Sequence, residues 1–145
     1  MKLDDILNLW AEDSTLDKND LSEESVRAIK LHSKYYIIYS HENLRLAKLL
    51  EDVNKLYFLK YEYYLGDLDK ETLDERGWKQ FQKKILKSDI DRYIRGDDEV
   101  IALNLRIALQ KEKVTTLKDI IKSIGNLSFT IGNILNWRKF QEAAY

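Results

Sequence analysis

Residues 100–124 read VIALNLRIALQKEKVTTLKDIIKSI, and the spacing of apolar residues in this stretch decides the fold class. Apolar residues recur mostly three or four positions apart, with Gln110 in the one vacant core position. This is the a/d pattern of helices that pack along a coiled-coil interface. We call these positions the apolar row: Val100, Leu103, Ile107, Val114, Leu117, Ile121 and Ile124.

A second set of apolar residues lies beside the apolar row. Ile101, Leu105 and Ala108 widen the stripe beyond the area that one partner helix would cover, which indicates packing against more than one neighbour. The row fits either the core of a helical bundle within one chain or the interface of a helical oligomer. The rest of the chain favours self-assembly.

The composition favours long helices. Proline, which interrupts helices, is absent from the 145 residues. Cysteine is also absent, which excludes disulfides and thiolate metal sites. Because 34% of the residues are charged and no apolar run is long enough to cross a membrane, we expect a soluble intracellular protein. The predicted fold class is all-α, with an N-terminal helical region over residues 1–97 and a helical oligomerisation region, which carries the apolar row, over residues 98–145.

Local signals predict the helices of the first half. A short amphipathic helix begins at Leu3, and a long helix runs from about Ser25 to Tyr64, with Asp20 or Ser22 as its cap and Gly66 just past its end. The predicted apolar face of the long helix consists of Leu46, Leu50, Val53, Tyr57, Tyr61 and Tyr64.

The signals of the second half are less uniform. A short helix around Trp78 is predicted over residues 73–81, whereas residues 85–94 fit a helix, an extended segment or both. The helix that carries the apolar row is predicted to run from about Asp98 to Ile124. Gly125-Asn126 is predicted to interrupt it before a last helix over residues 128–140.

Charge is unevenly distributed along the chain, although the net charge is only −1. Residues 1–25 contain two bases and eight acids, whereas residues 100–145 contain seven bases and three acids. A monomer with so few clustered cations should bind nucleic acid weakly, because affinity scales with the number of phosphates neutralised. An oligomer that presents its basic stretches several times gains affinity through multivalency.

Motifs for catalysis are missing from the sequence. The five glycines form neither a P-loop nor a dinucleotide fingerprint, and His32 and His41 lie on different faces of one predicted helix, so they cannot share a metal ion. Carboxylate pairs such as Asp89 and Asp91 fit a metal or acid–base site, but in loops such acids are usually solvated caps. We therefore expect no enzymatic activity, no metal and no cofactor.

Two stretches combine lysines with aromatic residues, as single-strand-binding proteins do. They are KLYFLKY over residues 55–61 and KQFQKKILK over residues 79–87. A solvated lysine face and a buried tyrosine stripe are the alternative interpretations of these two stretches. The candidate DNA-binding residues are Lys55, Phe58, Lys60, Lys79, Lys83, Lys84 and Lys87. They make residues 1–97 the predicted DNA-binding region.

Two large aromatic residues lie near the carboxyl terminus, on either side of two cations. Trp137 and Phe140 are expected to dock on a neighbouring helix, since terminal aromatic residues of this kind usually do so. We therefore add them to the apolar row as candidate oligomerisation residues.

Four motifs, in this order, resemble the UvsY family of recombination mediators of T-even-like phages. They are Leu31-His32-Ser33-Lys34-Tyr35, Tyr63-Tyr64-Leu65-Gly66, Leu86-Lys87-Ser88-Asp89 and Trp137-Arg138-Lys139-Phe140. The resemblance covers nearly the whole chain and implies a non-enzymatic protein that forms a seven-fold ring or open barrel. It also implies binding to single-stranded DNA coated by the phage single-strand DNA-binding protein. There the protein would help a RecA-like (UvsX-like) phage recombinase to nucleate its filament, in the cytoplasm of the infected bacterial host.

The resemblance also implies where DNA contacts lie. The family has a Lys-x-Arg segment just before the tyrosine pair, and here that segment reads Phe58-Leu59-Lys60. Lys60 retains a charge, whereas Phe58 replaces the first cation, so contact at this position is weakened or partly transferred to base stacking. The resemblance further implies that the C-terminal helices carry oligomerisation, which agrees with the spacing of the apolar row.

Two other functions remain open at this point. The first is a helical oligomer that serves as a protein–protein scaffold without binding DNA. The second is a carboxylate-dependent hydrolase that uses acids such as Asp89 and Asp91. Affinity for single-stranded DNA separates the first from a mediator, and metal-dependent turnover would identify the second.

Overall fold

The computed structural model describes residues 1–144, and these form five α-helices without a strand. The helices are α1 (Leu3–Asp13), α2 (Leu21–Leu65), α3 (Lys70–Arg76), α4 (Ile90–Arg95) and α5 (Asp98–Ala143). A single 3-10 turn, Lys87–Asp89, precedes α4. The all-α prediction is therefore confirmed. Within the described residues, no helix combines the length and the apolarity needed to cross a membrane.

Side-chain and glycine caps fix the ends of α2. At its start the Asp20 carboxylate accepts a hydrogen bond from the backbone N–H of Glu23, at 3.3 Å, so Asp20 is the cap of the two that the sequence offered, Asp20 and Ser22. At its end Gly66 has a φ of +82°, and its N–H donates to the carbonyl of Tyr63 at 3.0 Å. A residue with a Cβ adopts this left-handed conformation at a cost, which is why glycine ends the helix.

The short helix predicted around Trp78 lies elsewhere. Helix α3 is capped by Asp69, which accepts from the Thr72 N–H, and it ends at Gly77, which has a φ of +70°. Trp78 therefore follows the helix rather than lying at its centre. These two caps, one on each side of α3, set its bounds and end it before Trp78.

The predicted break at Gly125-Asn126 is also wrong, because α5 continues through these residues to Ala143. A glycine inside a helix costs about 1 kcal/mol relative to alanine. Burial of Ile124 and Ile131 on either side of it offsets that cost, since both side chains are almost fully removed from water. Tertiary packing thus overrides the local preference of glycine.

The chain divides into two compact units. Unit 1 consists of Met1–Leu44 and Gln110–Tyr145, and unit 2 consists of Arg45–Leu109. The core of unit 1 is formed by Ile6, Leu31, Tyr35, Leu117, Ile120 and Ile124. The core of unit 2 is formed by Leu56, Ile90, Ile94 and Val100. The functional regions predicted from the sequence, residues 1–97 and 98–145, follow a different division and stay a prediction.

Polar contacts hold the loop after α1 in unit 1. Arg27 donates to the backbone carbonyls of Asp13, at 3.0 Å, and Thr15, at 2.8 Å. The Asp13 carboxylate in turn accepts from the buried phenol of Tyr35, at 2.8 Å, and from Lys34, at 2.7 Å. Burial raises the pKa of Asp13, but these two hydrogen bonds and the positive charges of Lys34 and Arg27 together outweigh burial and leave the pKa below its usual value.

Gln110, the polar residue inside the apolar row, has a partner within unit 1. Its side-chain amide nitrogen donates to the backbone carbonyl of Glu42, at 2.8 Å, and to a carboxylate oxygen of Glu42, at 2.7 Å. Both side chains are buried. The amide is therefore satisfied by α2 of the same chain.

The predicted apolar face of α2 is rotated in the structure. Leu56 and Lys60 are buried, whereas Leu50 and Tyr57 of the predicted face are exposed. Leu46, Val53, Tyr61 and Tyr64 are half-buried, as expected for a face at the edge of the core. The sequence pattern missed the rotation because it treated a lysine as a solvent-facing residue.

Candidate nucleic-acid interface

Residues 79–87, which we call the lysine segment, begin just after Trp78 and run without regular structure as far as Leu86. Phe81 and Ile85 are half-buried, whereas the four lysines are exposed, and the Lys83 ammonium lies 5.8 Å from the centroid of the Tyr93 ring. Within residues 1–144 none of these ammonium groups is in an ion pair. The lysine segment therefore presents unpaired cations along an irregular chain. They are Lys79, Lys83, Lys84 and Lys87.

An aromatic cluster anchors the lysine segment to the rest of unit 2. Neighbouring ring centroids are 5.0 to 5.9 Å apart, mostly with edge-to-face or tilted geometry. The Tyr63 hydroxyl also donates to the backbone carbonyl of Lys79, at 2.6 Å. These half-buried rings pack against one another and hold the segment in place. The cluster consists of Tyr63, Tyr64, Trp78, Phe81 and Tyr93.

Lys60 lies beside this cluster and is only 4% exposed. Its ammonium nitrogen is 3.0 Å from a carboxylate oxygen of Asp97 and 3.8 Å from the centroid of the Trp78 ring. Removal of a charge from water is unfavourable unless the charge is paired, and here a carboxylate and an aromatic face supply the pairing. A phosphate would reach this ammonium only after the ion pair opened.

Asp97 connects this ion pair to the start of α5. One carboxylate oxygen accepts from the Tyr64 hydroxyl at 2.6 Å, and the other accepts from the backbone N–H groups of Glu99, at 3.0 Å, and Val100, at 3.3 Å. Burial raises the pKa of Asp97, but the hydrogen bonds from Tyr64 and Lys60 outweigh burial and lower it below its usual value. Burial and the bond to Asp97 together raise the pKa of Tyr64.

Lys55 and Phe58 occupy a different part of unit 2, and both are exposed. Lys55 lines a concavity together with Arg76 at the end of α3 and Arg106 on α5. An adjoining concavity is lined by Lys55, Arg76 and the ring of Phe58. Sequence reasoning missed both arginines, because no local pattern brings α3 and α5 to this position. The structure therefore brings Lys55 and Phe58 together. Neither Lys60 nor the lysine segment lines these concavities.

Most of the apolar row is buried inside the protomer. Five of its members are nearly inaccessible to water, and Leu103 and Ile121 are half-buried. The five are Val100, Ile107, Val114, Leu117 and Ile124. These side chains contribute to the cores of the two units, as the intrachain interpretation of the row expected.

Other apolar side chains on α5 face solvent. Trp137 and Phe140 are 60% and 65% exposed, and their rings stack on each other with centroids 5.7 Å apart. Of the second set beside the apolar row, Ile101 and Leu105 are also exposed. An exposed pair of stacked aromatic rings, such as Trp137 and Phe140, is typical of surfaces that bind another protein.

One of the two carboxylates considered for a hydrolase, Asp91, serves another contact. Asp91 accepts a hydrogen bond from the Tyr57 hydroxyl, and this bond, with a smaller effect of burial, raises the pKa of Tyr57. Among residues 1–144 no group of three histidine or acidic side chains is placed to hold a metal ion.

Comparison with known proteins gives one family and one fold. Residues 9–144 match the family model described as "Recombination, repair and ssDNA binding protein UvsY". A crystal structure of the bacteriophage T4 recombination mediator protein UvsY (lattice type II) has a TM-score of 0.86 and 18% identity, covering 98% of each chain. A second crystal form (lattice type IV) has a TM-score of 0.85 and 16% identity, covering 97% of this chain and 99% of the other. A comparison with individual curated protein sequences gives no match.

Proposed function

Since this chain belongs to the UvsY family of recombination, repair and single-stranded-DNA-binding proteins, we propose that it is a non-enzymatic recombination mediator of a bacteriophage. It binds single-stranded DNA as an oligomer and promotes the loading of a RecA-like recombinase onto DNA coated by a single-strand DNA-binding protein. It acts in the cytoplasm of the infected bacterium. The similar fold of a T4 recombination mediator supports this proposal.

The lysine segment is the observation that carries DNA binding. Its four lysines lack carboxylate partners within residues 1–144, so a phosphate does not have to displace an existing ion pair. The aromatic cluster holds the backbone of the segment, which lowers the entropic cost of binding. Each cation that neutralises a phosphate releases a counterion, and this release drives binding at low salt.

Oligomerisation multiplies these contacts. One protomer offers few phosphate contacts, whereas a ring, which we propose to be a heptamer, repeats the lysine segment around a closed path. The second and later contacts then form at a high effective concentration. Trp137 and Phe140 are the exposed members of the predicted oligomerisation set, and we propose that they contact the neighbouring protomer.

The loading step follows from this geometry as a hypothesis. A strand held along a path of repeated lysine segments takes a shape that is imposed by the ring. That shape would favour the recombinase over the single-strand DNA-binding protein by a difference in binding free energy. The expected observation is faster recombinase assembly on coated DNA, and a variant that does not bind DNA should fail to produce it.

Titration of a labelled oligothymidine at several salt concentrations tests DNA binding. For single strands the slope of log affinity against log salt changes by about 0.7 for each phosphate contact. The double variant Lys83→Ala/Lys84→Ala should therefore bind more weakly and reduce the slope by about 1.4 for each protomer that contacts the strand. The matched control is Lys111→Ala/Lys122→Ala, which removes two exposed lysines from unit 1. Equal slopes for the two double variants would remove the lysine segment from the DNA site.

Light scattering tests the oligomer. Trp137→Ser/Phe140→Ser should lower the molar mass without a decrease in helix content, because both side chains are exposed in the protomer. Lys139→Ser, on the same turn of α5, is the control. A wild-type mass for the double variant would place these residues outside the interface.

The exposed apolar residues of α5 also favour the second candidate, a helical scaffold that binds only other proteins. This candidate predicts an oligomer that has no affinity for single-stranded DNA at physiological salt. The salt titration above separates the two functions.

A further inference from the structure

Unit 1 contains a groove between α2 and α5. On each helix the groove follows residues spaced three and four positions apart, which lie in one row along the helix. The Lys118 ammonium lies 6.0 Å from the centroid of the Tyr39 ring, and further along the groove Ile29 and Gly125 line one concavity. The two rows therefore run side by side over about 15 Å of helix. We call them the groove rows: Ile29, His32, Tyr36 and Tyr39 on α2, and Lys118, Lys122, Gly125 and Phe129 on α5.

Large apolar side chains are exposed in both groove rows. Ile29 is 73% exposed and Phe129 is 75% exposed, and neither belongs to the core of unit 1. The ring of Tyr36, also exposed, continues the α2 row, with its centroid 6.2 Å from the ring centroids of both His32 and Tyr39. Apolar and aromatic side chains that are grouped and exposed in this way are typical of surfaces that bind another molecule.

Gly125 leaves open space at the floor of the groove. A Cβ at this position would have no side chain or distant backbone atom within 4 Å in the part of the chain that the structure describes. Glycine inside a helix is less stable than alanine, and packing within the protomer does not require it here. The concavity at this point is lined by Ala28, Ile29, His32, Ile124, Gly125 and Ser128. Its shape suits a side chain that enters from another molecule.

The charge along the groove is positive. Lys118 and Lys122 are exposed, and neither is in an ion pair within residues 1–144. Between residues 25 and 43 the only acid of α2 is Glu42, whose side chain is buried. Between residues 117 and 136 the only acid of α5 is Asp119, which lies about 100° around the helix from Lys118 and outside the groove row. An acidic partner would therefore meet two unpaired cations and no carboxylate in the groove rows.

We propose that this groove binds an acidic amphipathic helix of a partner protein, with an apolar side chain of that helix over Gly125 and its carboxylates at Lys118 and Lys122. A helix that lays its apolar face in a groove is a common mode of recognition, and a length of about 15 Å accommodates about three turns. The inference goes beyond the proposed function, because such a partner suits a mediator and a scaffold alike.

A second copy of this chain fits the groove less well than such a helix does. The acidic helix α1 has the complementary charge, but Leu7 is the one large apolar side chain exposed on it. A single leucine would leave most of the apolar surface of the groove uncovered. We therefore assign the groove to a different protein.

The first test measures the binding of two labelled synthetic peptides to the full-length protein by fluorescence anisotropy. Both peptides are amphipathic helices with leucines on one face, and their other positions carry glutamates in one peptide and lysines in the other. The wild-type protein should bind the glutamate peptide about tenfold more tightly than the lysine peptide. Lys118→Glu/Lys122→Glu should reverse this preference, and misfolding would not increase affinity for the lysine peptide. Lys48→Glu/Lys70→Glu, at two exposed lysines of unit 2, is the matched control and should keep the wild-type preference.

The second test removes the apolar contacts. Ile29→Ser/Phe129→Ser should weaken binding of the glutamate peptide about tenfold without a decrease in helix content, because both side chains are exposed in the protomer. Gly125→Leu should also weaken binding, because its side chain would fill the concavity. Its melting temperature should not fall, since leucine is a better helix former than glycine.

Several results would overturn the inference. They are failure of the wild-type protein to bind the glutamate peptide, equal binding of the two peptides, and wild-type affinity in Ile29→Ser/Phe129→Ser. A lower molar mass of that variant in light scattering without peptide would identify a second copy as the occupant. The DNA affinities of Lys118→Glu/Lys122→Glu and Lys48→Glu/Lys70→Glu should agree, and a loss confined to the first variant would assign the groove to nucleic acid. Failure of peptide binding alone would leave the proposed function intact, because DNA titration tests that function separately.

Discussion

Replacement of Lys60 by methionine is expected to destabilise the protein by about 3 kcal/mol, because it leaves the Asp97 carboxylate without its cation. Loss of one member of a buried ion pair costs roughly 3–5 kcal/mol. The lower end applies here, since Asp97 keeps hydrogen bonds from Tyr64 and from two backbone N–H groups of α5. Methionine nearly matches the lysine stem in volume, so the change leaves little cavity.

The assay is urea denaturation followed by circular dichroism at pH 7, with Lys84→Met as the matched control at an exposed lysine. The pH dependence gives a second readout. The pKa of Asp97 is lowered in the folded protein, so its ionised form stabilises the fold above the unfolded pKa, and this contribution disappears as the pH falls through the folded pKa. The difference between the wild-type protein and Lys60→Met should therefore be full at pH 7 and shrink below about pH 4.

Two results would contradict this reasoning. Unfolding free energies of Lys60→Met and Lys84→Met that agree at pH 7 would show that the Lys60 ion pair adds no stability. Lys60→Met could also keep its fold and show a smaller salt slope of DNA binding. Lys60 would then be one of the DNA contacts that the family resemblance implied. We expect the slope to stay unchanged, because the ammonium is already paired.

Three other substitutions test separate contacts by thermal or urea unfolding. Gln110→Leu should cost about 2 kcal/mol, because the buried Glu42 loses the Gln110 amide; a gain in stability would instead support an apolar coiled-coil interface at this position. Tyr35→Phe should cost roughly 1–2 kcal/mol by removing the hydrogen bond to Asp13, whereas Tyr36→Phe, on the exposed side of α2, should cost almost nothing. Gly66→Ala should cost about 1–2 kcal/mol, since its φ of +82° is unfavourable for alanine; a stable variant would indicate that the end of α2 rearranges freely.

The caps of α2 and α5 show what local sequence can predict. Asp20 precedes a helix with acids in its first turn, Gly66 follows its last turn, and Asp97 begins the next long helix. Each signal acts over a few residues, because a cap satisfies backbone groups that lie next to it in the chain. For this reason the sequence located the end of α2 before Gly66 and the start of α5 at Asp98, whereas it placed the start of α2 at about Ser25 although the helix begins at Leu21.

The candidate site shows where local sequence fails. The pattern around residues 55–61 treated both lysines alike, yet Lys55 lies in an open concavity and Lys60 is buried against Trp78. The residues that decide whether each lysine is exposed or buried lie far from it in the sequence, at α5 and after α3. Arg76 and Arg106 were missed for the same reason, since neither lies near Lys55 in the sequence.

The sequence by itself determined the all-helical class, the end of α2 before Gly66, the start of α5 and the family, since these depend on composition, spacing and short motifs. The tertiary structure decided which side chains are exposed to water and which are buried. Packing buried most of the apolar row inside the protomer, carried α5 through Gly125 and paired Lys60 with Asp97. The physical reason is that burial and charge pairing depend on neighbours from distant parts of the chain, and only the folded chain brings those neighbours together.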